Sequence, residues 1–178
     1  MEKSKAKLSS EGSHRRAGIL ACSTSRARGV RPDESGETIQ KACRSWWRAG
    51  IVVRRAVPDD RRVIARVLRN WCEQGMDVIF TTGGAGFSPT DVTPDATRDV
   101  ISREAPGLAE YLRFAWGRKN ELAWLSRGAA GFRDKTLILN LPGDPQAVRE
   151  CLKALRRILP AAFDRAAGRA GETPNGRD

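Results

Sequence analysis

The sequence predicts an α/β fold in which a mostly parallel sheet is covered on both faces by helices. Three features lead there: four short apolar runs of strand length, helix-period patterning between them, and Gly, Pro and Asp clusters at the changeovers. The run 17-AGILACS-23 lacks polar alternation and reads as a buried strand, followed by a polar loop, 24-TSRARGVRPDESG-36. From about Glu37 to Ala49 the period is helical, with Ile39, Ala42, Cys43, Trp46 and Trp47 as the apolar stripe. A second strand, 51-IVVRRAV-57, hands over at Pro58-Asp59-Asp60 to a helix of about 60–74 that turns Val63, Ile64, Val67, Leu68 and Trp71 inward. The third buried strand is 77-DVIFTT-82. Helices of about 95–104 and 107–117 are split by Ala105-Pro106-Gly107, and 121–133 suits a loop with a short strand. Last, 136-TLILNLPG-143 is a strand running through a turn into a helix of 144–163, with Pro145 at its first position.

A chain of 178 residues, 40% hydrophobic and 30% charged, has material for one domain with its own core. That domain is expected over 16–164, between a basic leader (1–15) and a tail (165–178) with the composition of disordered ends. No apolar run approaches the ~18 residues of a membrane span, and no small-residue cleavage pattern follows the charged start, so a cytoplasmic location is expected. Cys22, Cys43, Cys72 and Cys151 have no C-x-x-C spacing and read as buried free thiols. The single histidine, His14, lies in the leader, which leaves no material for a Ser-His-Asp triad or a His-rich zinc site. Catalysis must then rest on carboxylates, cations, hydroxyls and main-chain amides. The net charge of +11 resides mostly in the folded body and points to an anionic partner, a phosphorylated small molecule or nucleic acid. For nucleic acid, a recognition-helix signature and a stacking platform are both missing.

The stretch 81-TTGGAGFSPTDVTPDAT-97 carries the strongest functional signal. Three glycines in four residues permit positive φ and close ligand approach, and Thr93-Pro94-Asp95 reads as an N-cap, a first-position proline and a first-turn acid. No G-K-[ST] follows, so it is not a Walker A loop, and the glycine spacing differs from the dinucleotide fingerprint. In open α/β sheets ligands sit beyond the carboxyl ends of the strands. There the glycine loop, Pro58-Asp59 and Leu141-Pro142-Gly143 should together form an anion-binding rim, helped by helix N-terminal amides. Asp59, Asp91 and Asp95 beside phosphates call for a divalent cation between them; capping is the other explanation for Asp59 and Asp95, but not for Asp91.

Three segments resemble a known family: T-T-G-G-A-G-F-S-P-T-D-V-T-P-D-A-T, the later L-S-R-G-A-A-G-F-R-D-K-T-L-I-L-N-L-P-G-D-P-Q-A-V-R-E-C-L, and the early S-T-S-R-A-R-G-V-R-P-D-E-S-G. In this order, over about residues 17–160, they are similar to the molybdopterin-binding family of molybdenum-cofactor biosynthesis. This is the MogA and MoaB type, found also as the G domain of gephyrin. The resemblance implies a three-layer α/β/α fold, a homotrimer, and a molybdopterin adenylyltransferase that uses ATP, molybdopterin and Mg²⁺, with the possibility of a molybdenum-insertion protein as partner. It implies Asp59 and Asp91 as the catalytic, metal-positioning acids, and Thr82, Gly83, Gly84, Gly86 and Asp95 as the nucleotide site. Ser23, Ser126, Arg127, Asn140, Pro142 and Gly143 become the pterin site.

The chain departs from the family pattern at three places. Thr24 stands where an aspartate is usual after Ser23, Ala85 where the glycine loop usually has threonine, and Asp144 with Gln146 where Asn, Ser, Gln or Lys are common. These departures favour a second reading, a MoaB-type molybdopterin-binding protein without efficient adenylylation.

Overall fold

The computed structural model describes residues 15–166; the leader, but for Arg15, and the tail beyond Ala166 lie outside the described residues. The elements are β1 (Arg16–Cys22), α1 (Thr24–Ala27), α2 (Glu34–Trp46), β2 (Ile51–Val57), α3 (Arg61–Glu73), β3 (Val78–Thr82) and α4 (Thr93–Arg98). There follow β4 (Arg103–Glu104), α5 (Pro106–Gly117), a 3-10 turn (Glu121–Leu125), β5 (Ala130–Arg133), β6 (Thr136–Leu141) and α6 (Pro145–Ala166). One six-stranded sheet has the order β2-β1-β3-β6-β5-β4. In that order the first four strands run parallel, β5 runs antiparallel to β6, and β4 runs antiparallel to β5.

Period-two alternation distributes the strand side chains between two cores. Ala17 and Ile19 of β1, Val78 and Phe80 of β3, and Leu137, Leu139 and Leu141 of β6 face α2, α5 and α6. Their neighbours Leu20, Cys22, Ile79 and Ile138 face α3 and α4. Helices therefore cover both faces, giving the three layers expected. The α2 stripe places Ile39, Ala42, Cys43 and Trp47 in the first core, where Trp47 stacks on Phe80 at 5.6 Å between ring centroids. Such a pair contributes about 0.5–1.5 kcal/mol beyond its buried area.

Several boundaries differ from the sequence reading. Helix α2 begins three residues early because the Asp33 side chain caps it, accepting from the Gly36 amide at 2.9 Å. The supposed loop before it contains the short α1. The expected helix of 95–104 is only α4, after which the chain becomes an edge strand, with Ser102 N–H and Arg103–Glu104 pairing to β5. A side chain at Gly131 would meet the Arg103 carbonyl at 2.7 Å, so glycine there is what lets β4 come close. Thr93 is the first residue of α4 rather than its cap; Val92 holds that place, without a side-chain cap bond. Pro106, not Gly107, opens α5, and α6 runs two residues past the expected domain end to Ala166. There Arg15 lies over the Phe163 ring at 4.7 Å.

Candidate active site

Between β1 and β3 the chain changes direction of travel across the sheet: β2 lies on one side of β1 and β3 on the other. At such a switch point the loops beyond the strand ends diverge and leave a crevice. The glycine loop occupies it. A Cβ on Gly83 would lie 2.6 Å from the Cys22 carbonyl at the end of β1, and one on Gly143 3.3 Å from Gly83 Cα. Gly83 and Gly84 have φ of 91° and 60°, the left-handed region that other residues enter only with strain.

Every carbonyl from Gly84 to Gly86 is taken up by the protein. Gly84 accepts from the Thr93 amide at 3.0 Å, Ala85 from the Arg127 amide at 2.8 Å, and Gly86 from Arg127 Nε at 2.9 Å. No hydrogen bond within the described residues engages the amides of Gly84, Ala85 or Gly86. A loop with its carbonyls tied back and its amides free is a partial positive charge fixed in space, suited to an anion.

Two carboxylates border this loop. Asp59, in the turn between β2 and α3, has Oδ1 3.5 Å from where a Cβ on Gly84 would lie, and Asp91 Oδ2 is 2.9 Å from the same point on Gly86. Asp91 sits late in the β3–α4 loop, not at a strand end. Its carboxylate accepts from the Ser88 amide at 3.0 Å, a local turn bond the sequence did not reveal. Asp60, not Asp59, caps α3, accepting from the Val63 amide at 2.9 Å. Asp144 likewise caps α6 through the Ala147 amide at 2.7 Å. The two helix N-termini expected to offer free amides to phosphate are thus partly occupied by these aspartates, and the glycine loop is left as the main amide source.

A cleft of about 260 Å³ opens beside the loop, lined by Gly83 to Gly86, Asp91, Ser126, Pro142 and Gly143 on one side and Trp116, Leu122 and Leu125 on the other. The remaining residues singled out from the sequence hold these walls in place. Thr82 is buried and donates to the Pro142 carbonyl at 2.6 Å. Asn140 is buried, donating to Thr81 Oγ1 at 2.9 Å and Thr97 Oγ1 at 2.8 Å and accepting from the Ala129 amide at 3.0 Å. Ser23 shares a hydrogen bond with Ser25 at 3.1 Å, beside the end of β1. Arg127 grips the glycine loop: besides Gly86 it donates to the Asp91 carbonyl and, at 2.9 Å, to Asp95 Oδ2. That hydrogen bond holds the Asp95 carboxyl below the usual carboxylate range, with partial burial opposing it and the charges of Arg127, Arg98 and Arg61 reinforcing it.

Sequence reasoning did not single out Arg26, Ser35 or Arg113. Arg26 donates to the Gly143 carbonyl at 3.1 Å, Ser35 to the same oxygen at 2.9 Å, and Arg113 to the Gly128 carbonyl at 3.0 Å. The arginines of the 24–36 loop are visible in the sequence as charge, but only the fold brings Arg26 to the Gly143 carbonyl. The four cysteines are free. Burial pushes Cys22, Cys43 and Cys151 up to about 12 and raises Cys72, so all stay protonated near neutrality and none is an activated nucleophile.

Residues 18–161 match the family described as "Probable molybdopterin binding domain". The chain belongs to this family. A molybdopterin adenylyltransferase of Helicobacter pylori is 36% identical over 149 residues, which cover 83% of this chain and 85% of that protein. The molybdenum cofactor synthesis protein cinnamon of Drosophila melanogaster is 38% identical over 146 residues, 82% of this chain, although the chain spans only 24% of the fly protein. A solved molybdopterin biosynthesis enzyme MoaB from Thermus thermophilus has the same fold, with a TM-score of 0.80 and 43% identity over 86% of this chain and 97% of that one. Family membership accounts for the three-layer architecture.

Proposed function

We propose that the protein is a molybdopterin adenylyltransferase, transferring AMP from ATP to the phosphate of molybdopterin. The observation that carries the reading is the glycine loop at the switch point, its carbonyls tied back, its amides free and its flanks formed by Asp59 and Asp91. The names of the bacterial relatives agree with it. A phosphate oxygen of the pterin attacks the α-phosphorus of ATP; the new P–O bond forms as the bond to the β-phosphate oxygen breaks, and pyrophosphate leaves. No protein nucleophile is required, in keeping with thiols held protonated by burial.

Among the described residues no three His, Cys, Asp or Glu side chains gather into a metal cage. Two carboxylates beside a phosphate loop suit Mg²⁺, which is commonly held by one or two carboxylates together with substrate phosphates. Asp59 and Asp91 would hold the ion, whose charge would neutralise the triphosphate and the departing pyrophosphate. The amides of Gly84, Ala85 and Gly86 receive the phosphates, and Gly83 allows close approach. Arg127, through Gly86 and Asp95, keeps the loop from moving. Thr82 and Asn140 act from beneath, as braces, while Ser126, Pro142 and Gly143 with the apolar wall form the pterin side. Alignment and electrostatic preorganisation then supply most of the rate.

We infer a homotrimer as well, supported by Phe114, Leu122, Trp124 and Leu125, which expose 47–64% of their surface around α5 and the 3-10 turn. Of the five tryptophans, only Trp47 and Trp71 are buried. Free cysteines, and a fold in which no described helix is long and apolar enough to cross a membrane, agree with a cytoplasmic location. The product would then pass to a separate metal-insertion protein. Incubating the purified protein with molybdopterin, ATP and Mg²⁺ should give adenylyl-molybdopterin, detected by mass. Tight pterin binding without that product would favour the pterin-binding reading instead.

A further inference from the structure

Thr24 and Asp59 close a small ring of hydrogen bonds. The Thr24 amide and hydroxyl both donate to Asp59 Oδ2, each at 2.8 Å, and the Asp59 amide donates to Thr24 Oγ1 at 3.1 Å. The hydroxyl thus gives its proton to the carboxylate and accepts one from the main chain of the same residue. Thr24 is itself anchored, since it follows Ser23, whose amide extends the β1–β2 pairing by donating to the Val57 carbonyl at 2.9 Å. One Asp59 oxygen is fully engaged in this ring. The other, Oδ1, is the oxygen that borders Gly84.

We propose that Thr24 is a positioning residue for Asp59: it fixes one carboxylate oxygen so that the other is presented to the triphosphate and its magnesium at the glycine loop. The proposal rests on the adenylyltransferase reading. An aspartate side chain otherwise samples several staggered rotamers, and two bonds from one neighbour to the same carboxylate oxygen select one of them, while the third, from the Asp59 amide, holds the Thr24 hydroxyl in place. The position demands a short side chain that donates and accepts at once. An ionised aspartate there could accept from the Asp59 amide but has no proton for the Asp59 carboxylate, and it would bring two like charges together. The departure from the family pattern at position 24 therefore does not remove a function from this site; it substitutes a neutral clamp for a second acid.

Two substitutions separate the hydroxyl from the shape. Thr24→Val keeps the branching and loses the donor and acceptor, and Thr24→Ser keeps both. Thr24→Val should lower kcat at least about tenfold and raise the Mg²⁺ concentration for half-maximal rate, with pterin affinity and Tm close to wild type. Thr24→Ser should stay within about twofold of wild type. A Val variant with unchanged kcat, or a Ser variant as slow as Val, would overturn the proposal. Crystals of the two variants give a readout independent of turnover: Asp59 should occupy one rotamer in Thr24→Ser and several in Thr24→Val. An unmoved Asp59 in Thr24→Val defeats the positioning role even if wild type makes no adenylyl-molybdopterin, an outcome that separately defeats the adenylyltransferase reading.

Discussion

The two sides of the cleft are built by different means. On the side of the parallel strands, the glycine loop, Asp59 and Asp91 are set by main-chain geometry and a dense set of hydrogen bonds; Arg127 alone joins Gly86, Asp91 and Asp95. On the other side, α5 and the 3-10 turn present the apolar side chains of Trp116, Leu122 and Leu125, with Leu122 at 64% and Leu125 at 47% exposure. Phosphoryl chemistry needs charges that do not reorganise as the reaction proceeds, so fixed donors and acids belong on the rigid side. A flat heterocycle or a second subunit needs area, which apolar side chains supply. On the proposed reading, catalysis belongs to one wall and binding or assembly to the other.

The sharpest way to break this division is Asp91→Asn. The amide oxygen can still accept from Ser88, so the loop should keep its shape while kcat falls by roughly 10²–10⁴, about 3–5 kcal/mol of transition-state stabilisation. Pterin affinity should not change. Equal losses in both would mean that the walls are not separable.

If the proposed trimer forms through the exposed apolar face beside the cleft, replacing Leu122 and Trp124 together with serine should give monomers in light scattering while leaving Tm largely intact. Neither side chain is buried within the chain, so no cavity forms. A trimer that persists would place the interface elsewhere.

A smaller effect is expected from Gly86→Ala. Gly86 does not need a positive φ, and its added methyl meets only the Asp91 carboxylate end, so kcat should drop about tenfold with little change in Tm. Gly84→Val is a poorer probe, because the φ of 60° and Thr93 Oγ1 at 2.5 Å from the new Cβ would destabilise the fold as well. A stable, fully active Gly86→Ala would show that Asp91 does not work from the position it occupies here.

The smallest expected effect is on stability and depends on pH. The Arg127 hydrogen bond depresses the Asp95 pKa in the folded protein. A group with a lowered folded pKa contributes stability above its unfolded value, near 3.9, and loses it as pH falls through the folded value. Asp95→Asn should therefore lower Tm by a few degrees at most at pH 7, since the pair is partly exposed, and the gap from wild type should close below about pH 4. A gap that persists in acid would point to a steric cause.

Much of the rigid wall was legible in the sequence. The four parallel strands, the switch-point glycines and the two flanking acids follow from apolar runs and turn residues whose local meaning survives folding. What was not legible depends on contacts distant in sequence. The helix expected to reach residue 104 ends early because β5 offers Ser102 and Arg103 better partners, and no local pattern announces that Gly131 makes room for them. Thr24 looked like a lost acid because its partner, Asp59, lies 35 residues away. Asn140 and Thr82 looked like ligand contacts, yet the side chains bond within the protein, Thr82 to the Pro142 carbonyl and Asn140 to Thr81 and Thr97. The apolar wall was hardest to read, since Leu122 and Leu125 sit in a 3-10 turn with no periodicity to mark it.

The most direct test of the account is a double-substitution cycle on the two acids. Single-turnover adenylylation and pterin affinity would be measured for Asp59→Asn, Asp91→Asn and the pair together, at saturating Mg²⁺. If both acids act on one metal-bound triphosphate, the double variant loses less than the product of the single losses, and pterin affinity stays near wild type in all three. Losses that multiply, or pterin affinity that falls along with the rate, would contradict a single catalytic wall at the glycine loop.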